Sequence, residues 1–119
     1  MKDNLSDLVR LMHIADAIGE IQNYTEGFNL ESFSKDSKTR FASIKQLEII
    51  GEAAYHISEQ TKLNTPQIQW QPIISLRHIL VHEYYGIQDD VLWRIITVHV
   101  PEFSLQINQL IAGLKKTGE

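Results

Sequence analysis

The sequence contains no cysteine, which excludes disulfides and thiolate metal sites. It is also poor in helix-breaking residues, with three prolines and six glycines in 119 positions. That is too few for a loop-rich or disordered chain. No window approaches the roughly 18 uninterrupted apolar residues of a membrane span. The opening stretch, MKDNLSDLVRLMHIADAIGE, lacks the basic patch, apolar run and small-residue cleavage site of a secretory signal. The cytoplasm is therefore the expected compartment, with no membrane partner. A basic balance is missing too: the formal net charge is −4, which argues against broad, non-specific nucleic-acid binding. Any RNA-binding function has to rest on a local site holding a few cations.

What is present fits one globular domain. A chain of 119 residues can bury a core without staples. Its 43% hydrophobic and 22% charged residues are ordinary for a soluble protein. No repeat, low-complexity stretch or long linker divides it, so residues 1–119 read as a single domain. Apolar residues recur three and four apart almost throughout, and no segment makes a convincing strand. The expected fold is all-α, an up-and-down bundle of about four helices.

The first helix is expected from about Asn4 to Tyr24, with Leu5, Leu8, Met12, Ala15 and Ile18 as its apolar stripe. Gly27 stands where a helix C-terminal glycine belongs, and a short turn follows around Leu30 to Ser34. Asp36 suits the N-cap of a second helix, Ser37 to Thr61. Its stripe holds Phe41, Ile44, Leu47, Ile50, Ala54 and Ile57. Gly51, in mid-helix, costs about 1 kcal/mol against alanine and points to close helix packing. Asn64-Thr65-Pro66 breaks the chain. Pro72 fits the first turn of a third helix, from about Gln71 to Tyr84, ending at Gly86. Asp89 or Asp90 would cap a fourth, Val91 to Lys116, kinked at Pro101. Lys115 and Lys116 suit the negative end of its dipole.

The third helix carries the candidate chemistry. With residues placed about 100° apart, Arg77 falls in the middle of an arc formed by Leu76, Leu80, Ile73, Val81 and Ile74. A guanidinium cannot shed its charge, so this position demands an anionic partner. One solution is structural: an ion pair with Glu48 or Glu52 of the second helix, or an outward reach to solvent. The other is functional, with the planar fork of Arg77 aimed into a cleft to hold a phosphate. His78 and His82 follow on one flank. Their i, i+4 spacing suits a metal, but neither an HExxH pattern nor a third ligand accompanies them, so no metal is expected. An imidazole can take or give a proton near neutral pH, and His82 lies in the last turn, at the negative end of the helix dipole. Tyr84 shares the face of Arg77, where its hydroxyl can touch a phosphate or be chemically modified, and plain packing at the helix end is the alternative for Tyr84-Tyr85.

The spacing Arg77, four residues, His82, one residue, Tyr84 resembles the R-x4-H-x-Y signature of HepT-like HEPN toxins. His78 fills the polar place after the arginine. Leu47 to Ala54 resembles the second-helix segment of that family, and Ser75 to Gly86 its active-site helix. Val91-Leu92-Trp93, Val100-Pro101-Glu102 and Tyr24-Thr25-Glu26-Gly27 resemble its other blocks. The likeness runs along about the whole chain.

The resemblance implies a HEPN-like homodimer that cleaves RNA without metal or cofactor, with tRNA or mRNA as substrate and no role for DNA. It implies that two copies of the third helix meet in one cleft. Arg77 would bind and polarise the scissile phosphate, His82 would transfer a proton, and His78 and Tyr84 would support the site. It also implies a partner, a minimal nucleotidyltransferase antitoxin, which would adenylylate Tyr84 to O-AMP-tyrosine. A non-catalytic helical module that binds a nucleotide or that partner stays as the alternative. The aromatics Trp70, Trp93, Tyr84 and Tyr85, numerous for a small bundle, add to the expectation of a two-fold dimer.

Overall fold

A computed structural model describes residues 2–83 and 85–117. The elements are α1 (Lys2–Thr25), α2 (Leu30–Lys35), α3 (Ser37–Tyr55), α4 (Glu59–Asn64), α5 (Trp70–Glu83), α6 (Asp89–Arg94) and α7 (Val100–Thr117). A π-helical turn, Ile95–His99, joins α6 to α7. The chain is all-helical, with no strand among the described residues. Four long rods make the expected bundle: α1, α3, α5 and the α6–α7 run. α1 packs on α3 and α7, and α3 packs on α5.

The helix ends obey local chemistry. Gly27 has φ of 80°, the left-handed conformation that favours glycine at a helix C-terminus. Asn29 and Ser32 cap α2 reciprocally. The Asn29 side chain accepts from the Ser32 N–H at 2.8 Å, and the Ser32 hydroxyl accepts from the Asn29 N–H at 3.0 Å. The expected turn at Leu30 to Ser34 is thus a short helix, and it buries Phe33 completely. Asp36 caps α3 as expected, accepting from the Thr39 N–H at 3.2 Å.

Three local expectations are corrected. First, the buried face of α1 is Leu11, Ile14, Ala17, Ile18 and Ile21, while Leu5 is 66% and Met12 42% exposed. α1 has two apolar stripes, and the periodicity alone did not reveal which one meets α3. Second, the second helix does not run on to Thr61. It stops at His56, and Ser58 starts α4 by accepting from the Thr61 N–H at 3.3 Å. Third, neither Asp89 nor Asp90 is a cap. Gln88 holds that place with no side-chain bond, and both aspartates lie in the first turn of α6. Asp89 pairs with Arg40 of α3, tying the two helices together.

The irregularity expected at Pro101 appears just ahead of it. Proline has no N–H and its ring crowds the carbonyl four residues back. The backbone answers with a wider turn, in which the Val100 N–H donates to the carbonyl of Ile95, five residues earlier.

One buried polar knot fixes the break between α3 and α4. Asp7 of α1 is 2% exposed. Its carboxylate accepts from the Ser58 N–H at 2.9 Å, from the Ser58 hydroxyl at 2.6 Å and from the Thr61 hydroxyl at 2.6 Å. Removing Asp7 strands these buried donors. Asp7→Ala should cost about 2–4 kcal/mol, and Asp7→Asn, which keeps one acceptor, less. Urea unfolding checks this; a loss for Asp7→Ala below about 0.5 kcal/mol, the scatter of ordinary surface changes, would contradict it.

Candidate active site

α5 is held at its start and its middle. The Trp70 indole N–H donates to the Thr65 hydroxyl at 3.0 Å, and its ring meets Phe103 edge-on at 6.0 Å. Pro72 sits in the first turn, where its missing N–H is harmless. Leu80 is wholly buried. Ile73, Ile74 and Leu76 pack partly buried against the core.

This anchoring sets Arg77 at the edge of the core, against α3. Gly51 lies directly opposite. A Cβ built on Gly51 would stand 2.2 Å from Cβ of Arg77, 3.0 Å from its Cγ and 3.1 Å from the Ile73 carbonyl oxygen. The mid-helix glycine is therefore the close-packing position its sequence context suggested. Beyond that contact the Arg77 side chain is 39% exposed, and its Nε lies 3.2 Å from Oε2 of Glu52. Of the two carboxylates offered as structural partners, Glu52 is the one used. Glu48 faces Lys45 instead, at 4.0 Å. Glu52 is shared, since its Oε1 is 3.3 Å from Nε2 of His56. Among the described residues the Arg77 side chain makes no hydrogen bond beyond its ion pair with Glu52, and solvent reaches it.

His78 and His82 lie on the outer flank of α5, both exposed. Their rings are in contact but tilted, with centroids 4.5 Å apart at 53°. Among the described residues no cluster of three or more His, Cys, Asp or Glu is placed to hold a metal. Arg77 and His82 are five residues apart, about 140° around the helix. The structure places them on one helix without bringing them into contact. Ile79 and Val81, 41% and 40% exposed, border the histidine pair. Tyr84 lies outside the described residues. Tyr85 is 86% exposed, and the Gly86 N–H closes the helix end on the Glu83 carbonyl at 2.9 Å. Trp70 and Trp93 are not surface aromatics: Trp70 is buried, and Trp93 packs on Phe33 at 4.9 Å. They stabilise the single chain and no longer argue for a dimer.

Sequence reasoning missed the company Arg77 keeps. A groove of about 360 Å³ opens between α1, α3 and α5, with Arg77 and Val81 on one wall. Arg10 and His13 reach it from α1, Lys45 from α3 and His56 from the end of α3. These residues are scattered along the chain, and no linear pattern joins them.

The family model described as ribonuclease HepT-like matches residues 14–110. A protein of Thermococcus cleftensis named "Probable ribonuclease HepT" is 37% identical over 109 residues, which cover 92% of this chain and 94% of that one. A protein of Methanocaldococcus jannaschii named "Putative RNase" is 32% identical over 109 residues, covering 92% and 90%. A second of that name from the same organism is 31% identical over 97 residues, covering 82% and 89%. No solved structure gives a significant match.

The approach at Gly51 yields a mutational prediction. Alanine gains about 1 kcal/mol of helix propensity, but its methyl group overlaps an atom fixed to the α5 backbone, an overpacking cost of about 1–3 kcal/mol. Gly51→Ala should lower stability by up to about 2 kcal/mol and displace Arg77. Thermal melts read the first effect. A melting temperature at or above that of the unaltered chain would show that α3 and α5 separate without cost.

Proposed function

The chain belongs to the ribonuclease HepT-like family, and on that premise we propose that it is a metal-independent RNA endonuclease, the toxin of a toxin–antitoxin pair. One observation carries the reading: a half-exposed arginine shares α5 with an exposed pair of histidines whose rings touch. Residues 1–119 act as one HEPN domain, and two copies join through α5. The exposed Ile79 and Val81 beside His78 and His82 support that join, which sets Arg77 and His82 around one cleft. Arg77 binds the scissile phosphate and stabilises the charge that builds on it. The ribose 2′-hydroxyl attacks the adjacent phosphorus, the bond to the 5′-oxygen breaks, and His82 moves a proton between those oxygens. His78 orients His82 through their ring contact. The products are a 2′,3′-cyclic phosphate and a 5′-hydroxyl.

The rival reading, a helical module that binds a nucleotide or a nucleotidyltransferase without chemistry, draws on the Arg77–Glu52 ion pair. Activity assays separate the two. His82→Ala should cut cleavage by about 10²–10⁴ and Arg77→Ala by about 10²–10³, with both variants folded and dimeric by light scattering. Cleavage should persist in excess EDTA and leave cyclic phosphate ends. Chelator-sensitive cleavage would reject the metal-free scheme, and undiminished cleavage by either variant would reject the assignment of roles.

Regulation belongs to the same reading. A cognate minimal nucleotidyltransferase, using ATP and its own magnesium, transfers AMP to the Tyr84 hydroxyl and releases pyrophosphate. The added phosphate is a partner for Arg77, and the base takes space that RNA needs. Glu83 and Tyr85, on either side of Tyr84 in sequence, are exposed. Intact mass after incubation with the partner and ATP should rise by AMP in the unaltered chain and not in Tyr84→Phe. A gain that persists in Tyr84→Phe would place the modification elsewhere.

A further inference from the structure

The groove between α1, α3 and α5 holds cations for which the cleavage scheme has no use. Arg10 is half-buried, and its Nε donates to the His56 backbone carbonyl at 3.3 Å. It forms no ion pair among the described residues, and it lines the groove. Lys45 is 69% exposed, and its nearest carboxylate, Glu48, is 4.0 Å away, the limit of a useful pair. Glu52 is already shared by Arg77 and His56. Arg10, Lys45 and Arg77 thus outnumber Glu48 and Glu52, and His13 and His56 add charge whenever they are protonated. Three of the chain's 11 lysines and arginines line this one groove, although the protein as a whole is acidic.

The groove is long enough for an extended ligand. Lys45, Glu48, Ile49, Glu52, Ala53 and His56 line it from α3, recurring three and four apart. From Lys45 to His56 such a stripe runs about 16 Å at ~1.5 Å per residue. A single phosphate needs one end of that length, whereas a polyanion uses all of it. Arg77 forms part of the wall, so a chain of phosphates lying there passes the proposed scissile position.

We propose that this groove is a phosphate-binding track for single-stranded RNA, in which Arg10 and Lys45 hold backbone phosphates beside the one that Arg77 holds. The assignment rests on the ribonuclease reading for its substrate, but it is tested by binding alone. The probe is a fluorescein-labelled, single-stranded RNA dodecamer with 2′-O-methyl groups, which has no free 2′-hydroxyl to attack. Anisotropy is followed over a series of salt concentrations with the full chain. Arg10→Gln and Lys45→Gln should each weaken binding about three- to tenfold at low salt, and each should reduce the slope of log K against log salt by about 0.7. Lys115→Gln with Lys116→Gln, at the end of α7 and outside the groove, should do neither. Lys45 is exposed, so its variant reports binding even if Arg10→Gln perturbs folding through its bond to His56.

Unchanged affinity and slope in Lys45→Gln, or equal losses in the α7 control, would overturn the track. So would an unaltered protein that does not bind the probe. A separate cleavage assay keeps the two readings apart. Cleavage together with normal binding by Lys45→Gln sinks the track and leaves the ribonuclease standing. Groove-dependent binding without any cleavage does the reverse.

Discussion

The contact between Gly51 and Arg77 is the constraint on which the site depends. Glycine on α3 admits the Cβ of Arg77 to a distance that no other residue would allow. α5 therefore lies close enough for the apolar residues around Arg77 to meet the core, while the guanidinium emerges at the seam. A charge that cannot be neutralised is then placed where Glu52 offsets part of it and solvent the rest. The helix cannot drift from this position, because Trp70 locks its start and Leu80 is buried further along.

That placement reconciles an acidic protein with a cationic site. Net charge describes the far field, and at physiological ionic strength exposed charges are largely screened beyond about 8 Å. The groove gathers Arg10 and Lys45 with Arg77 from helices distant in sequence, so the site's local charge differs from the net charge. The two carboxylates on the same groove keep it from being a bare cluster of positive charge. Glu52 also holds Arg77 in place from one side.

The bundle around the site is closed by a few polar commitments. Asp7 binds the break after α3 to α1, and Arg40 with Asp89 binds α3 to α6. The π-helical turn lets the last helix absorb Pro101 without ending. Each is a long-range or irregular solution to a local problem: a helix that must stop, or a proline that cannot donate. That is why the break between α3 and α4 and the start of α6 were the least legible features. Ser58 as a cap depends on Asp7, 51 residues earlier, and Asp89 was claimed by Arg40 before it could cap anything.

From sequence alone the helical class, the four long rods and the caps at Gly27 and Asp36 were determined, because periodicity and cap chemistry act over a few residues. So was the oddity of Arg77, because a charge amid apolar neighbours shows on any helical wheel. The adjacency of Arg77, His78 and His82 on one helix was equally legible. Only the tertiary structure decided which stripe of α1 is buried, since Leu5 and Leu11 are alike until α3 arrives. It alone chose Glu52 over Glu48 as the partner of Arg77, and gathered Arg10 and Lys45 beside it. Those outcomes depend on how helices are rotated and spaced against one another, and that is set by packing between residues that no local pattern connects.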